Sequence, residues 1–259
     1  ADSVKSLIPV SYWRLGELTG TSVVDDMRVW DGTYSGMGLA VAGLISSQND
    51  TNTCVSSAGT GFISIADGTA LSFDNKASFS IFTVVNFSST AAAQTLISKQ
   101  DASNNKGWDL SLTNTGAIVF TRSDESTTQS ATTTSTISAG TTYAIAVTFD
   151  GSALRVYTSA LLTGEQPTTL SGSVANIAKT SSNLMIGQLQ NATQKLNGRI
   201  DEVAVFNYTL PSRTVFSLIL LGLTGPGVIN TDPYLSSFTG ITSVKVSSSA
   251  NMPAAISYT

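Results

Sequence analysis

The stretch "NGRIDEVAVFN" (Asn197 to Asn207) decides the fold, because it reads as a long apolar strand interrupted by two adjacent acids. Neighbouring residues of a regular strand point to opposite faces. Alternation therefore places Asp201 with Val203 and Val205 on one face, and Glu202 with Ala204 and Phe206 on the other. We predict that the two acids do not form a facing carboxylate pair.

Similar strand patterns recur through the chain between short turns. They include "SFSIFTVVNF" (Ser78 to Phe87), "GWDLSLTNTGAIVFTR" (Gly107 to Arg122) and "TTYAIAVTFDGSALRVYTSALL" (Thr141 to Leu162). The turn signals within the last two stretches are Asn-Thr-Gly and Asp150-Gly151, which are typical of hairpins. Many short strands with scarcely any helical period predict an all-β fold of two antiparallel sheets.

One segment has a helical pattern instead. "LPSRTVFSLILLGLTGPG" predicts a short helix over Ser212 to Leu221, with Pro211 near its start and glycines near its end. The predicted buried stripe consists of Val215, Phe216, Ile219 and Leu220.

The domain prediction is a sandwich over residues 1–225, followed by an extension over 226–259. The alternating stretch "GITSVKVSSS" favours an edge strand there, and the extension either packs on the sandwich, contacts a neighbouring subunit or is disordered.

Composition limits the function. Of 259 residues, 12% are charged and roughly 73 are Ser or Thr, with a net charge of −4. Such a polar but weakly charged surface indicates either a surface that partners cover or simply a Ser/Thr-rich β-protein. Because the Lys and Arg residues are scattered, we expect no nucleic-acid binding. The apolar run Val215 to Leu223 is too short for a membrane span.

The N-terminal stretch "ADSVKSLIPV" has no apolar signal-peptide core, so we expect a protein made in the cytoplasm, with an extracellular location as the alternative. The lone Cys54 excludes an internal disulfide and is predicted to be a small buried residue.

In order along the chain, several stretches resemble laminin-G-like, concanavalin A-like jelly-roll domains. The resemblance runs from about Pro9 to Leu223 and is carried by "VSYWRLGELTGTSVVDD", "SFSIFTVVNF", "QTLISKQDASNNKGWDLSLTNTGAIVF", "ISAGTTYAIAVTFDGSALRVYTSALL" and "LMIGQL…LNGRIDEVAVFNYTLP". It implies a two-sheet jelly-roll sandwich whose first strand lies near the last. Members include lectins, adhesion modules, glycosidase appendages and phage virion proteins, and the "YWRLGE" opening is most similar to the phage members. The ending "YTSA" (Tyr157 to Ala160) departs from the family's usual "YVNG".

Catalytic groups are mostly missing from the sequence. The chain has no histidine, which excludes Ser-His-Asp and Cys-His machinery and His-containing zinc or iron sites. Glycoside hydrolysis needs two carboxylates facing each other across a sugar. A second acid on the same face of the strand would have to lie two residues further on, but those positions are occupied by Val203 and Ala204. We therefore predict that the protein is not an enzyme.

Two kinds of site remain open. Asp201 either accepts backbone N–H groups from a turn or, with Glu17 and Asp25 of the N-terminal segment, holds a structural calcium ion, which the resemblance supports. A possible glycan loop, "KQDASNNKGWD", is the other, with candidate residues Asp101, Asn104, Asn105 and Trp108. The alternative for Trp108, as for Trp13 and Trp30, is a place in the core.

Two functions follow as expectations. The first is a non-enzymatic virion protein of a phage, acting as a capsid decoration, head fibre or tail component that contacts other virion proteins or itself, for example as a trimer. The second is a carbohydrate-binding or adhesion module of a larger secreted or surface system. The two are compatible, because a virion protein can also hold cell-surface glycans.

Overall fold

A computed structural model describes residues 2–45, 52–73, 76–103, 105–160, 168–171, 179–221, 244–247 and 255–258. The chain forms two compact units, Ala1–Pro226 and Gly227–Thr259. The division lies one residue from the predicted boundary. The first unit is an antiparallel β-sandwich, as the strand pattern predicts.

One layer of the sandwich is a seven-stranded sheet. Its strands are β1 (Ser11–Trp13), β4 (Gly38–Ala42), β5 (Thr53–Ala58), β7 (Phe79–Phe87), β12 (Thr142–Phe149), β13 (Leu154–Ala160) and β16 (Asn197–Phe206). The strand order is β13-β12-β7-β16-β5-β4, and β1 also pairs with β16. The fold-deciding stretch is therefore a central strand, and the expectation that the first strand lies beside the last is confirmed.

The other layer is a nine-stranded sheet in the order β14-β11-β10-β9-β8-β15-β6-β3-β2. Its strands are β2 (Ser22–Val23), β3 (Gly32–Ser35), β6 (Phe62–Ile65), β8 (Gln94–Ser98), β9 (Lys106–Leu112), β10 (Ala117–Asp124), β11 (Thr128–Thr136), β14 (Thr168–Ser171) and β15 (Leu184–Ile186). The predicted Asn-Thr-Gly turn joins β9 to β10, and the predicted Asp150-Gly151 turn joins β12 to β13. Gly151 has φ +93°, a conformation that favours glycine.

The inner faces of the two sheets enclose the main core. The seven-stranded sheet contributes Val85, Ile145 and Val205, and the nine-stranded sheet contributes Leu110 and Phe120, all fully buried. Burial of such apolar surface stabilises the sandwich by roughly 25 cal/mol per Å².

The two outer faces differ. On the seven-stranded sheet a second apolar layer contains Phe82 and Phe206, and it is covered by helix α2 (Ser212–Leu221) together with Val4 of helix α1 (Asp2–Lys5). The bounds of α2 match the prediction. Its buried stripe is Val215, Leu218 and Ile219, whereas Phe216 is only half-buried. The predicted stripe was wrong at Phe216, because the face against the sheet follows the i, i+3, i+4 spacing of a helix. The side chain of Leu220 lies outside the described residues.

The second unit contains a two-stranded antiparallel sheet. Strand β17 (Val244–Ser247) pairs with β18 (Ala255–Tyr258). Strand β17 falls within the alternating stretch "GITSVKVSSS", where a strand was predicted.

Candidate functional site

The two adjacent acids of β16 lie at a β-bulge. The pairing of β16 with β7 shifts between Asp201 and Ala204, and Glu202 has φ +54°. Asp201 pairs with Val84, whose side chain belongs to the outer apolar layer, whereas Val203 lies in the inner core. A bulge adds one residue to a strand and interrupts its alternation. The prediction that Asp201 shares a face with Val203 and Val205 is therefore wrong.

Both acids have partners within the protein on the outer side of this sheet. The Leu44 N–H donates to Asp201 Oδ2 at 3.0 Å, which confirms the expected acceptor role for one acid of the pair. The Tyr12 hydroxyl donates to Glu202, and Arg14 Nε lies 3.6 Å from Glu202 Oε1. Burial raises the pKa of Glu202 to about 7. These contacts fasten β1 and the segment after β4 to β16.

Asp25 and Glu17, the other two predicted calcium ligands, hold the N-terminal segment in place. Asp25 is fully buried and accepts the Ser11 hydroxyl at 2.8 Å and the backbone N–H groups of residues 12, 27, 29 and 30. Glu17 accepts the Val24 N–H and the Tyr34 hydroxyl. Among the described residues, no three Asp, Glu, His or Cys side chains lie close enough to hold a metal ion. The structure does not bring Glu17, Asp25 and Asp201 together among the described residues. Metal binding by them is therefore a matter for a metal-removal experiment.

The predicted glycan loop is only partly consistent with the structure. Trp108 is fully buried, donates from Nε1 to the Leu71 carbonyl at 3.2 Å and stacks on Phe73. It cannot serve as an exposed platform, and this part of the prediction is wrong because strand alternation directs Trp108 into the core. Asp101 Oδ1 accepts the N–H groups of Asn105 and of residue 106, so it closes the loop. Asn104 lies outside the described residues.

The outer face of the nine-stranded sheet is polar. Cross-strand pairing aligns Ser98, Asp109, Thr121 and Ser130 in one row, and directly paired residues share a face. Their neighbours on the inner face, such as Leu110 and Phe120, belong to the core. This face thus presents hydroxyl and carboxyl groups where the seven-stranded sheet presents apolar side chains.

A depression of about 390 Å³ lies on this polar face. Its lining comes from the outer sides of β9 and β10, the ends of β8 and the turns nearby. The lining residues are Ala93, Gln100, Asp109, Ser111, Leu112, Thr113, Asn114, Val119, Thr121, Leu189 and Gln194.

Asp109 is the central polar group of the depression. It is 7% exposed, and its two carboxylate oxygens accept from Gln100 Nε2 at 2.8 Å and from the Ser111 hydroxyl at 2.6 Å. Burial raises the pKa of Asp109 to about 6, opposed by the hydrogen bond from Ser111, so the group is mainly ionised at neutral pH. A carboxylate has about four acceptor positions. With two of them used by these donors, the others can accept hydroxyl groups of a ligand.

Sequence reasoning missed Asp109, although the signal was present. Asp109 is the last residue of the predicted glycan loop "KQDASNNKGWD" and directly follows Trp108, a candidate core residue. Placing Trp108 inside places Asp109 outside by alternation. Gly107 fixes this arrangement, because a side chain there would collide with the Lys99 carbonyl.

Other buried ionisable groups have structural roles. Lys99 is almost fully buried and bonds Asp67 at 2.7 Å and the Thr180 carbonyl at 3.1 Å, beside a second depression of about 400 Å³. Cys54 is buried as predicted, with its thiol 3.1 Å from the Ala42 carbonyl, and burial raises its pKa to about 12.

The two-sheet sandwich with one polar outer face defines a lectin-type, concanavalin A-like domain. The chain belongs to the Laminin_G_3 family, the concanavalin A-like lectin/glucanases superfamily, whose model matches residues 57–216. A comparison with curated proteins finds no match. Among the described residues, no helix is long and apolar enough to cross a membrane.

Solved structures with a similar fold include three from bacterial and trypanosomal proteins. Domain 4 of a GH43 extracellular arabinanase from Geobacillus stearothermophilus, in complex with arabinotriose, has a TM-score of 0.59 and 16% identity, over 82% of this chain and 98% of that one. The botulinum neurotoxin serotype G binding domain has a TM-score of 0.57 and 14% identity, over 82% and 50%. Trypanosoma rangeli sialidase has a TM-score of 0.57 and 13% identity, over 84% and 33%. The chain thus spans half of the neurotoxin binding domain and a third of the sialidase. At these identities the similarity establishes the fold alone.

Proposed function

We propose that the protein is a non-catalytic carbohydrate-binding domain that holds a glycan on the polar outer face of its nine-stranded sheet. The observation that carries the proposal is the depression around the ionised Asp109. Its volume of about 390 Å³ falls within the usual size range of small-ligand sites.

The lining suits a sugar. Asp109, Gln100 and Asn114 offer acceptors or donors to hydroxyl groups, and Val119 and Leu189 offer apolar contact to the carbon–hydrogen faces of a ring. The lining contains no aromatic side chain among the described residues. Hydrogen bonds therefore contribute most of the affinity, and we expect moderate binding.

One of the similar structures supports the same class of ligand. The arabinanase domain was solved with arabinotriose, an uncharged oligosaccharide. Carrying this ligand class to the present chain is part of the proposal, since the identity is 16%.

Binding fits the depression better than hydrolysis does. The similar fold of a sialidase leaves enzymatic activity open. Glycoside hydrolases commonly need two carboxylates about 5–9.5 Å apart. The lining described here contains a single carboxylate, that of Asp109.

The test is a glycan array followed by calorimetry on the whole chain. We expect at least one oligosaccharide to bind, and Asp109→Asn to weaken binding at least tenfold. Glu125→Gln, an acid-to-amide change at an exposed residue outside the lining, is the matched control and should leave affinity unchanged. A blank array, or equal binding by the Asp109→Asn variant, contradicts the proposal. Release of reducing sugar from the bound glycan contradicts its non-catalytic part.

We further propose that this carbohydrate-binding protein is a component of a phage virion. The weakly charged, Ser/Thr-rich surface and the separate second unit, Gly227–Thr259, support a role in contacts with virion proteins or with further copies of the chain, such as a trimer. Light scattering on the whole chain and on a chain that ends at Pro226 tests this. Assembly lost on truncation supports the role, whereas two monomers that do not attach to phage particles contradict it.

A further inference from the structure

We infer that the face around Asp109 selects uncharged oligosaccharides and rejects glycans that carry a carboxylate or sulfate at the point of contact. The inference rests on the proposed function and specifies its ligand class. Its starting observation is that the only ionisable side chain among the described lining residues is an acid.

The four basic residues near the lining in sequence are engaged elsewhere. Lys99, next to the lining residue Gln100, is almost fully buried and pairs with Asp67 at 2.7 Å. Lys195, next to the lining residue Gln194, directs its ammonium group toward the Thr60 carbonyl at 3.5 Å. Lys106 pairs with Glu125 at 2.8 Å. Arg122, next to the lining residue Thr121, points into the sandwich.

The inward position of Arg122 follows from its contacts. Its guanidinium lies 3.9 Å from the centre of the Phe149 ring, and its Nε donates to Gln129 Oε1 at 2.8 Å. Arg122 is fully buried, so it offers no charge to a ligand on the outer face. None of these four cations is placed to neutralise an anionic ligand beside Asp109.

A ligand carboxylate would therefore meet the Asp109 carboxylate with no cation between them. Like charges at close range oppose each other most strongly where water is excluded. Sugar hydroxyl groups are instead attracted to this site, because each can donate a hydrogen bond to an unused acceptor position of Asp109. The same group thus favours neutral glycans and disfavours acidic ones.

The test compares matched glycans that differ in one acidic group. Lactose with 3′-sialyllactose, and xylotetraose with and without a glucuronic acid branch, are measured by calorimetry at pH 7.5 alongside the best neutral array ligand and its sulfated form. We expect the neutral member of the binding pair to bind at least tenfold more tightly. Thr121→Lys places a cation directly across from Asp109 and should reduce this ratio at least threefold.

The outcomes separate this inference from the proposed function. If an acidic glycan binds as well as its neutral counterpart and Asp109→Asn abolishes that binding, the site stands but the inferred selectivity is overturned. A ratio unchanged in Thr121→Lys also overturns the selectivity argument. If no member of any pair binds, or if binding survives Asp109→Asn, the proposed site fails and the inference fails with it.

Discussion

Replacing Asp109 by Asn should stabilise the fold while it removes glycan binding. The wild-type carboxylate is 7% exposed and has a pKa of about 6, against 3.8 for the ordinary group. Asn keeps both observed hydrogen bonds, because its amide can accept from Gln100 and donate to the Ser111 hydroxyl. The substitution therefore removes a desolvated charge without leaving either partner unsatisfied.

The pKa difference sets the magnitude. The difference between a pKa of about 6 and the ordinary 3.8 corresponds to about 3 kcal/mol of destabilisation of the ionised form. The buried amide also loses hydration, so we expect a net gain of about 1–2 kcal/mol, or roughly 2–8 °C in melting temperature for a chain of this size.

The stability gained by Asp109→Asn should depend on the pH. The folded-state pKa lies above the unfolded value, so the destabilisation is complete above about pH 6 and diminishes as the pH falls from 6 toward 3.8. The gain from Asp109→Asn should therefore be larger at pH 7.5 than at pH 4.5. Urea unfolding of the wild type, Asp109→Asn and the control Glu125→Gln at both pH values measures it. An Asn variant that is less stable than the wild type at pH 7.5, or a gain that does not depend on pH, would contradict this prediction.

Three further predictions concern the acidic residues of the N-terminal segment and of β16. Asp25→Ala leaves several buried donors without an acceptor and should lower the free energy of unfolding by about 3 kcal/mol or more. The control Asp26→Ala loses one surface ion pair with Lys5 and should lower the free energy of unfolding by less than about 1 kcal/mol. Equal effects of the two substitutions in urea unfolding would contradict this. Because burial raises the pKa of Glu202 to about 7, its contribution to stability falls as the pH rises through 7. Between pH 6 and 8 the wild type should lose about 1 kcal/mol that Glu202→Gln retains, and identical pH profiles would count against this. Glu17, Asp25 and Asp201 each accept a hydrogen bond from an N–H or O–H group of the protein, so EDTA should leave the melting temperature unchanged. A melting temperature that EDTA lowers and calcium restores would instead support the calcium site.

The sandwich could be predicted because its strands follow simple alternation and its turns carry clear signals. Asp150-Gly151 and the bounds of α2 are local features, and local residue preferences determine them. The pairing of β1 with β16 required the family resemblance, since nothing local links residues almost two hundred positions apart.

The candidate site was harder to predict than the fold. The bulge at Glu202 has no mark in the sequence, and it moves Asp201 to the face opposite the predicted one. Trp108 was weighed as both core and ligand platform, because composition alone does not separate these roles. Asp109 became visible only once the polar outer face, which depends on the pairing of β8, β9 and β10, was assembled.

Chemical-shift mapping of the isotope-labelled whole chain with its best neutral oligosaccharide locates the glycan on the protein surface. We expect the largest shifts at Gln100, Asp109, Ser111 and Thr121, on the outer face of the nine-stranded sheet. Saturable shifts confined to the outer side of the seven-stranded sheet or to the loop at Asp101 and Asn105 would contradict this expectation.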